Sequence, residues 1–416
     1  MDRTSKMLRR SLLGAAILLG CTTAASAQQE LKVGLVASLE GAFAVLGQDG
    51  VRGAELALKE HNGVAGGKKI VFVRGSSDAS PASAVNATRK LVEQDKVSLM
   101  IGPLSGSEGV AVKDYAKTQP GVTFIDGSSG GQQTTLVNPS PNFFRFNLDG
   151  AQVMAPLGSY AFEQGYKRVM VIAEDYAFPY SQVQGFMSGF CKAGGKVPRK
   201  AWVPIGTKDF SSVISSIPND VDSLLVVLAG ADAVNFIRQY EQAGGDKKII
   251  GGSVMVDQTV LSYRGRLRGN LVGTLSSGWT ADALETPAWE KFVAAYRASS
   301  KDAFPAPSYF AFAYYNAVKA TLNALDKVGG DLSDGQEKFR KALAATHLES
   351  PVGLITLDSN RQAIGPAFVT KIVQRPDGKL VSSVVKTVPK IDQHLNLSKA
   401  EFDKMGLGSR DVPACP

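Results

Sequence analysis

From Leu31 onward the chain alternates short, almost wholly apolar runs rich in β-branched residues with longer segments whose apolar positions recur at helical spacing. LKVGLVA (31–37), GQDGVRGAELALKEH (47–61) and KKIVFVRG (68–75) set the pattern. It continues through a helical stretch at 81–93, a strand at 97–101, a helix at 108–117 and a strand at 121–125. A strand that is apolar on both sides needs cover on both sides. The pattern therefore predicts a parallel sheet between two helical layers, a doubly wound α/β unit.

After Asp126 the pattern gives way to Gly, Ser, Gln, Asn and Pro as far as Asn142, which reads as an irregular loop before the short run FFRFN (143–147). A second α/β series follows, with predicted strands at 166–173, 197–204, 222–230 and 247–252 and helices at 151–164, 180–193, 209–217 and 231–243. The last third opens with a predicted strand at 271–276. It is then helical at 287–299, 308–328 and 334–346, and ends in strand-like runs at 353–357, 367–374 and 380–388. Too few strands remain there for a sheet of their own, so these elements are expected to complete the two earlier units. The chain must then cross between them near 146–148, 277–278 and 353–354, which makes a hinge with a gap beneath it. The expected organisation is a leader (1–27), one lobe from 28–147 plus 279–353, a second from 148–278 plus 354–390, and a tail (391–416).

The leader has Arg3, Lys6, Arg9 and Arg10 ahead of an apolar stretch at 12–19 and then Ala25-Ser26-Ala27, the pattern of a cleaved export signal. Leu18-Leu19-Gly20-Cys21 is a competing lipobox-like reading, in which Cys21 is acylated and retained. Both place the folded part outside the cytoplasm, and the first predicts a periplasmic protein. No second apolar run approaches the roughly 20 residues a membrane span requires. The formal net charge of +8 includes +3 from the leader, leaving about +5 spread over scattered Lys and Arg. Without basic runs or interleaved aromatics this argues against nucleic acid and allows a weak attraction for anionic solutes. Beyond Cys21 only Cys191 and Cys415 remain, which in an oxidising compartment predicts a disulfide tying the tail to a helix; two free thiols is the plainer alternative. With three histidines and no ligand spacing, neither a metal nor another cofactor is expected.

Several segments taken in order carry a resemblance: residues 33–57 with Gly47, Gly53, Ala54 and Glu55; Met100-Ile101-Gly102-Pro103-Leu104-Ser105; Phe124-Ile125 and the loop after it; residues 174–184 with an aromatic centre; and Pro351-Val352-Gly353 followed by Thr356-Leu357-Asp358. In this order and spacing the chain resembles the periplasmic solute-binding proteins of branched-chain amino-acid-type ABC transporters, the leucine/isoleucine/valine-binding family, over residues 31–386. The resemblance implies a type I periplasmic-binding-protein fold, α/β, with two doubly wound lobes joined by a multi-strand hinge. It also implies a monomer that closes on a small solute and hands it to an inner-membrane permease.

Physical reasoning points to the same places, since ligands of open α/β sheets sit beyond the carboxyl ends of the strands. Ser105, Gly106 and Ser107, and Ser128, Ser129 and Gly130, are loops of that kind, where small residues admit a ligand and hydroxyls donate to it. Their plainer reading is helix capping and turn formation. Carried over from the family, the serine that meets an α-carboxylate appears here as Gly106 and a threonine as Gly130. The second-lobe tyrosine falls near Gly230, and the acid for an α-ammonium near Ser253. A buried ammonium without a counter-charge is costly, so a free amino acid is disfavoured. Phe178, placed where the family's tyrosine packs over the ligand, together with Tyr180, Leu46 and Tyr309, makes an apolar and aromatic pocket suited to an aromatic carboxylate of benzoate or phenylpropanoid type. Branched-chain and other amino acids, amides and aliphatic acids are the alternatives, and Phe310, Phe312 and Tyr314 read equally as helix core.

Gly127-Ser128-Ser129-Gly130-Gly131 also satisfies G-x-S-x-G, the nucleophile motif of serine hydrolases. That motif requires a helix directly after the serine, whereas an irregular, proline-bounded segment is predicted here, so binding without chemistry is the expectation. A sensory ligand-binding domain of the same fold is the non-enzymatic rival. Its usual membrane helix and cytoplasmic module are not seen in this sequence.

Overall fold

The computed structural model describes residues 29–262 and 271–415; the leader and Cys21 lie outside the described residues. The first sheet has the order β2-β3-β1-β4-β5-β6. Its strands are β1 (Glu30–Ser38), β2 (Val64–Ala65), β3 (Lys68–Ser77), β4 (Leu99–Ile101), β5 (Thr123–Ile125) and β6 (Phe143–Phe144). β1 lies inside the sheet, parallel to β3 on one side and β4 on the other. Leu31, Val33, Leu35, Val36 and Ala37 are all buried, as cover on both faces demands.

The second sheet is built on β7 (Arg168–Glu174), β8 (Lys196–Val203), β9 (Ser223–Val227), β10 (Lys248–Gly251) and β11 (Leu275–Gly278), all parallel. Beyond β11 come β12 (Leu348–Ser350), β13 (Gly353–Leu357), β14 (Ala363–Gln374) and β15 (Leu380–Ile391). β14 pairs antiparallel with β11 and β15 with β14. The last third is thus divided between the two sheets. Its strands extend the second, while its helix Tyr309–Lys327 lies along helix Ala44–Glu60 of the first. Gly50 and Gly53 allow that approach: a Cβ on Gly53 would stand 1.9 Å from the Ala311 carbonyl oxygen, and one on Gly50 2.8 Å from the Tyr314 ring.

Two local expectations are corrected. The strand expected at 271–276 starts at Leu275, because Gly273 turns the chain at φ +90°. The short run 143–147 gives strand at Phe143–Phe144, after which the Arg145 N–H donates to the Arg361 carbonyl. The loop expected to be irregular from 132 to 141 contains a short helix, Gln133–Leu136.

Arg145, fully buried, organises the crossing between the sheets. Its guanidinium donates to the carbonyls of Gly131 (2.7 Å) and Ser129 (3.3 Å), to Thr135 Oγ1 (2.8 Å) and to Gln362 Oε1, with Asp149 at 3.7 Å. Gln362 Nε2 in turn donates to the Asn147 carbonyl (2.9 Å) and to Gln152 Oε1 (2.8 Å). Gln152 Nε2 reaches the carbonyls of Ala363 (2.9 Å) and Ile391 (3.1 Å). The crossing at 145–147 and the start of β14 are therefore stitched together by buried polar groups that satisfy one another. Cys191 and Cys415 are joined in a disulfide at 2.02 Å, which fastens the tail to helix Ala177–Lys192.

Replacing Arg145 with Leu is expected to cost about 3–5 kcal/mol in urea unfolding at neutral pH, because Asp149 and two loop carbonyls lose a buried charged partner. An unchanged unfolding midpoint would show that the network carries no stability.

Candidate functional site

Four helices begin around Phe178. Helix Ala177–Lys192 carries it on its first turn, directly after β7 and the Asp175-Tyr176 loop. Helix Gly106–Ala116 starts against it, so that a Cβ on Gly106 would stand 2.7 Å from the Phe178 nitrogen. Helix Gly150–Glu163 starts there too, with a Gly150 Cβ position 2.8 Å from the Phe178 carbonyl oxygen, and the Gly150 N–H donates to the Gly130 carbonyl at 2.9 Å. Helix Tyr309–Lys327 starts with the Tyr309 ring stacked on that of Phe178, centroids 6.5 Å apart. Gly130 lies under the Phe178 ring, where a Cβ would come within 2.4 Å. The departures at Gly106 and Gly130 thus have a physical cause, since a serine or threonine there would collide with Phe178.

Leu46 is also in the seam between the two sheets. It is fully buried on helix Ala44–Glu60, and its Cδ1 lies 3.7 Å from where a Cβ on Gly230 would stand; Gly230 begins helix Gly230–Gln242. Ser107 joins the halves directly, its Oγ accepting from the Ala177 N–H at 3.2 Å. Ser253 is held by Gln182 of the Phe178 helix, whose Nε2 donates to Ser253 Oγ (2.6 Å) while its Oε1 accepts from the Ser253 N–H (3.1 Å). Ser128 Oγ is turned to the Leu104 carbonyl at 3.3 Å.

Three predicted site residues stand elsewhere. Ser105 caps its helix in a capping box with Glu108, and its hydroxyl donates to the Ala79 carbonyl (3.0 Å). Ser129 is fully buried and engages Asp126 through both its N–H and its hydroxyl. No imidazole appears among its partners, and the following helix starts only at Gln133. Tyr180, two residues past Phe178 and so on the opposite side of the helix, faces outward: it packs edge-on against Trp202 at 4.9 Å and donates to Asp175.

Tyr176 takes the place assigned to Tyr180. It is 8% exposed, its ring lies 6.0 Å from that of Phe43, and burial raises its hydroxyl pKa well above the ordinary value, with Glu174 and Glu108 adding to the effect. The missed signal was positional, because Tyr176 is two residues past the carboxyl end of β7, where ligands of such sheets sit. The acids nearby are already committed. Burial and then Asp232 raise the Glu174 pKa well above the usual carboxylate range, and its Oε1 accepts from the Ala229 N–H (3.2 Å). Asp257, four residues past Ser253, accepts from the Thr259 N–H (2.8 Å) and, across the seam, from the Tyr309 N–H (2.6 Å).

Among known proteins, the Leu/Ile/Val-binding protein homolog 6 of Brucella melitensis biotype 1 is 23% identical over 390 residues, spanning 92% of this chain and 98% of its own. A solved ABC transporter substrate-binding protein from Sphaerobacter thermophilus shares 27% identity with a TM-score of 0.78, covering 88% of this chain and 99% of its own. A solute-binding protein of an ABC transporter from Rhodopseudomonas palustris BisB5, solved in complex with 3,4-dihydroxybenzoic acid, shares 25% identity with a TM-score of 0.80, covering 88% and 98%. The family model described as periplasmic binding protein matches residues 30–379. Two α/β units meeting around Phe178, with that match across most of the sequence, establish that the chain belongs to the periplasmic binding protein family.

Proposed function

We propose that this chain is a periplasmic solute-binding protein that captures a small aromatic carboxylate of benzoate type between two lobes, residues 28–147 with 279–353 and residues 148–278 with 354–390, and delivers it to an ABC permease. The observation that carries the reading is the meeting of four helix starts at Gly106, Gly150, Ala177 and Tyr309 around one aromatic ring. Helix N-termini carry a positive potential that favours an anionic head; the first N–H groups of three of them are bonded within the chain, Gly150 to the Gly130 carbonyl, Ala177 to Ser107 and Tyr309 to Asp257, so it is the potential that supports the reading. Phe178, Tyr309 and Tyr176 supply flat apolar walls for an aromatic body. Gly106, Ser107, Ser128, Gly130, Leu46, Gly230 and Ser253 frame the same seam.

An amino acid fits less well, because its ammonium needs a carboxylate. Glu174 carries a raised pKa beside Asp232, and Asp257 is spent on two backbone N–H groups. The ligand of the Rhodopseudomonas palustris relative, 3,4-dihydroxybenzoic acid, has the same chemistry: one carboxylate on a planar ring, without an ammonium. Among the described residues no helix is long and apolar enough to cross a membrane, and the leader supports export. Function then rests on hinge closure, a ligand that touches both lobes favouring the closed form that a permease reads.

Phe178→Ala should weaken binding of 3,4-dihydroxybenzoate by about 2 kcal/mol, roughly thirtyfold, in titration calorimetry, with the fold retained. Wild-type protein that binds leucine or isoleucine but no aromatic acid in a thermal-shift screen would refute the ligand class.

Burial pushes the Asp257 carboxyl up to about 7, against the opposing effect of its backbone hydrogen bonds. Between its unfolded value of about 4 and that folded value, the native chain holds a proton that the unfolded chain releases. Stability therefore falls as pH rises through that window and levels off above it. Asp257→Asn should remove up to one proton's worth of this slope, about 1.4 kcal/mol per pH unit at its steepest, in urea midpoints taken from pH 4 to 8. The same slope in both proteins would mean that Asp257 is not the titrating group.

A further inference from the structure

Beyond β15 the tail runs across both halves of the molecule. Gln393 Nε2 donates to Thr135 Oγ1 (2.6 Å) and to Asp149 Oδ2 (3.2 Å). Leu395 and Phe402, the latter on the tail helix Lys399–Met405, pack with Ala151 of the second half and Leu136 of the first. Farther on, Gln133 Nε2 donates to the Gly408 carbonyl at 3.4 Å, while Gly408 N–H donates to Gln184 Oε1 at 3.0 Å. Gly408 also sits tight on helix Ala177–Lys192, where a Cβ would stand 2.7 Å from the Tyr180 carbonyl oxygen. Among the described residues the end of the tail is bonded to the second half, through Arg410 on Asp175, Trp202 Nε1 on the Arg410 carbonyl (3.2 Å), Lys200 Nζ on the Pro413 carbonyl (3.1 Å) and the Cys191–Cys415 disulfide.

The helix Gln133–Leu136 lies between β5 and β6 of the first sheet, and helix Ala177–Lys192 follows β7 of the second. The two face each other across the seam, where the Gln132 N–H donates to Ser181 Oγ at 3.0 Å. A segment bonded to both must release one of them when the halves part.

We propose that the tail is a strap that favours closure, with the disulfide as its anchor: while Cys415 is bonded, residues 393–408 stay laid across the seam and bias the ligand-free protein toward the closed arrangement. Reduction frees the end of the strap and shifts the balance toward opening. The covalent change is thiol–disulfide exchange: an added dithiol is oxidised to its own disulfide while Cys191 and Cys415 are reduced to two thiols. The affinity arm of the test rests on the proposed ligand class; the shape arm does not.

The full mature chain is compared before and after dithiothreitol, as Cys415→Ser, and as Gln133→Ala, which keeps the disulfide and lies outside the binding cluster. Two measurements are made: the radius of gyration of the ligand-free protein by solution scattering, and the affinity for 3,4-dihydroxybenzoate by calorimetry. Reduction and Cys415→Ser should enlarge the ligand-free radius and weaken binding about fivefold, and Gln133→Ala, which removes one hydrogen bond between the tail and the first half, should do so to a smaller degree. If two free thiols titrate while radius and affinity both stay at the oxidised values, the strap is refuted. If no aromatic acid binds at all, the radius alone decides: a larger value on reduction supports the strap, an unchanged one refutes it. Should far-UV dichroism show that reduction unfolds the protein, Gln133→Ala decides in the same way.

Discussion

Arg145 is the constraint on which the rest of the molecule depends. A fully buried guanidinium is tolerated only where its donors and its charge are both answered. Here they are met by the Ser129 and Gly131 carbonyls, Thr135, Gln362 and Asp149. These partners come from the loop after β5, from the first crossing and from the start of β14, so one side chain sets the relative position of all three. Asp149 shows the balance of the site: burial raises its pKa, and the Arg145 charge is the largest effect opposing that rise. The same aspartate caps helix Gly150–Glu163, one of the four that begin at Phe178. The crossing and the glycine loop under Phe178 therefore belong to one network, since Arg145 also holds the carbonyls of Ser129 and Gly131 that flank Gly130.

Above that pivot, the seam depends on shape. Gly106, Gly130 and Gly150 leave no room for a side chain beneath Phe178, and a methyl at any of them would meet backbone or ring atoms at 2.4–2.8 Å. Close approach of backbone to ring brings the helix starts together. A larger residue at Gly130 would push the ring away, and with it the Tyr309 stack. These small residues thus permit the two halves to touch.

What the sequence made legible follows from the range of the interactions involved. The alternation of apolar strands with helices is local, and both sheets could be read from it because two-sided cover leaves a continuous apolar run. Gly106 and Gly130 were singled out because they lie in loops beyond strand ends, where sheet geometry places ligands, and Phe178 because of the family resemblance; the structure brings all three together. The hinge network was not legible, since Arg145 and Gln362 are 217 positions apart and each resembles a surface residue in isolation. Tyr180 was named for its nearness to Phe178 and Tyr176 was not weighed: with the helix starting at Ala177, Tyr180 turns toward Trp202 while Tyr176, before the helix, packs with Phe43. Ser105 and Ser129 were misassigned for a related reason, because a hydroxyl beside a helix start serves as a cap or a turn as readily as it meets a ligand.

Several contacts among the chain's own residues span the seam: Ser107 with the Ala177 N–H, Asp257 with the Tyr309 N–H, Gln132 with Ser181, and Phe178 on its glycine floor. Under the proposed function such contacts have two opposed effects. A ligand loses less in selecting an arrangement that the chain itself favours, which raises affinity. The closure energy that the ligand itself adds becomes a smaller part of the whole, which lowers the contrast between loaded and empty protein.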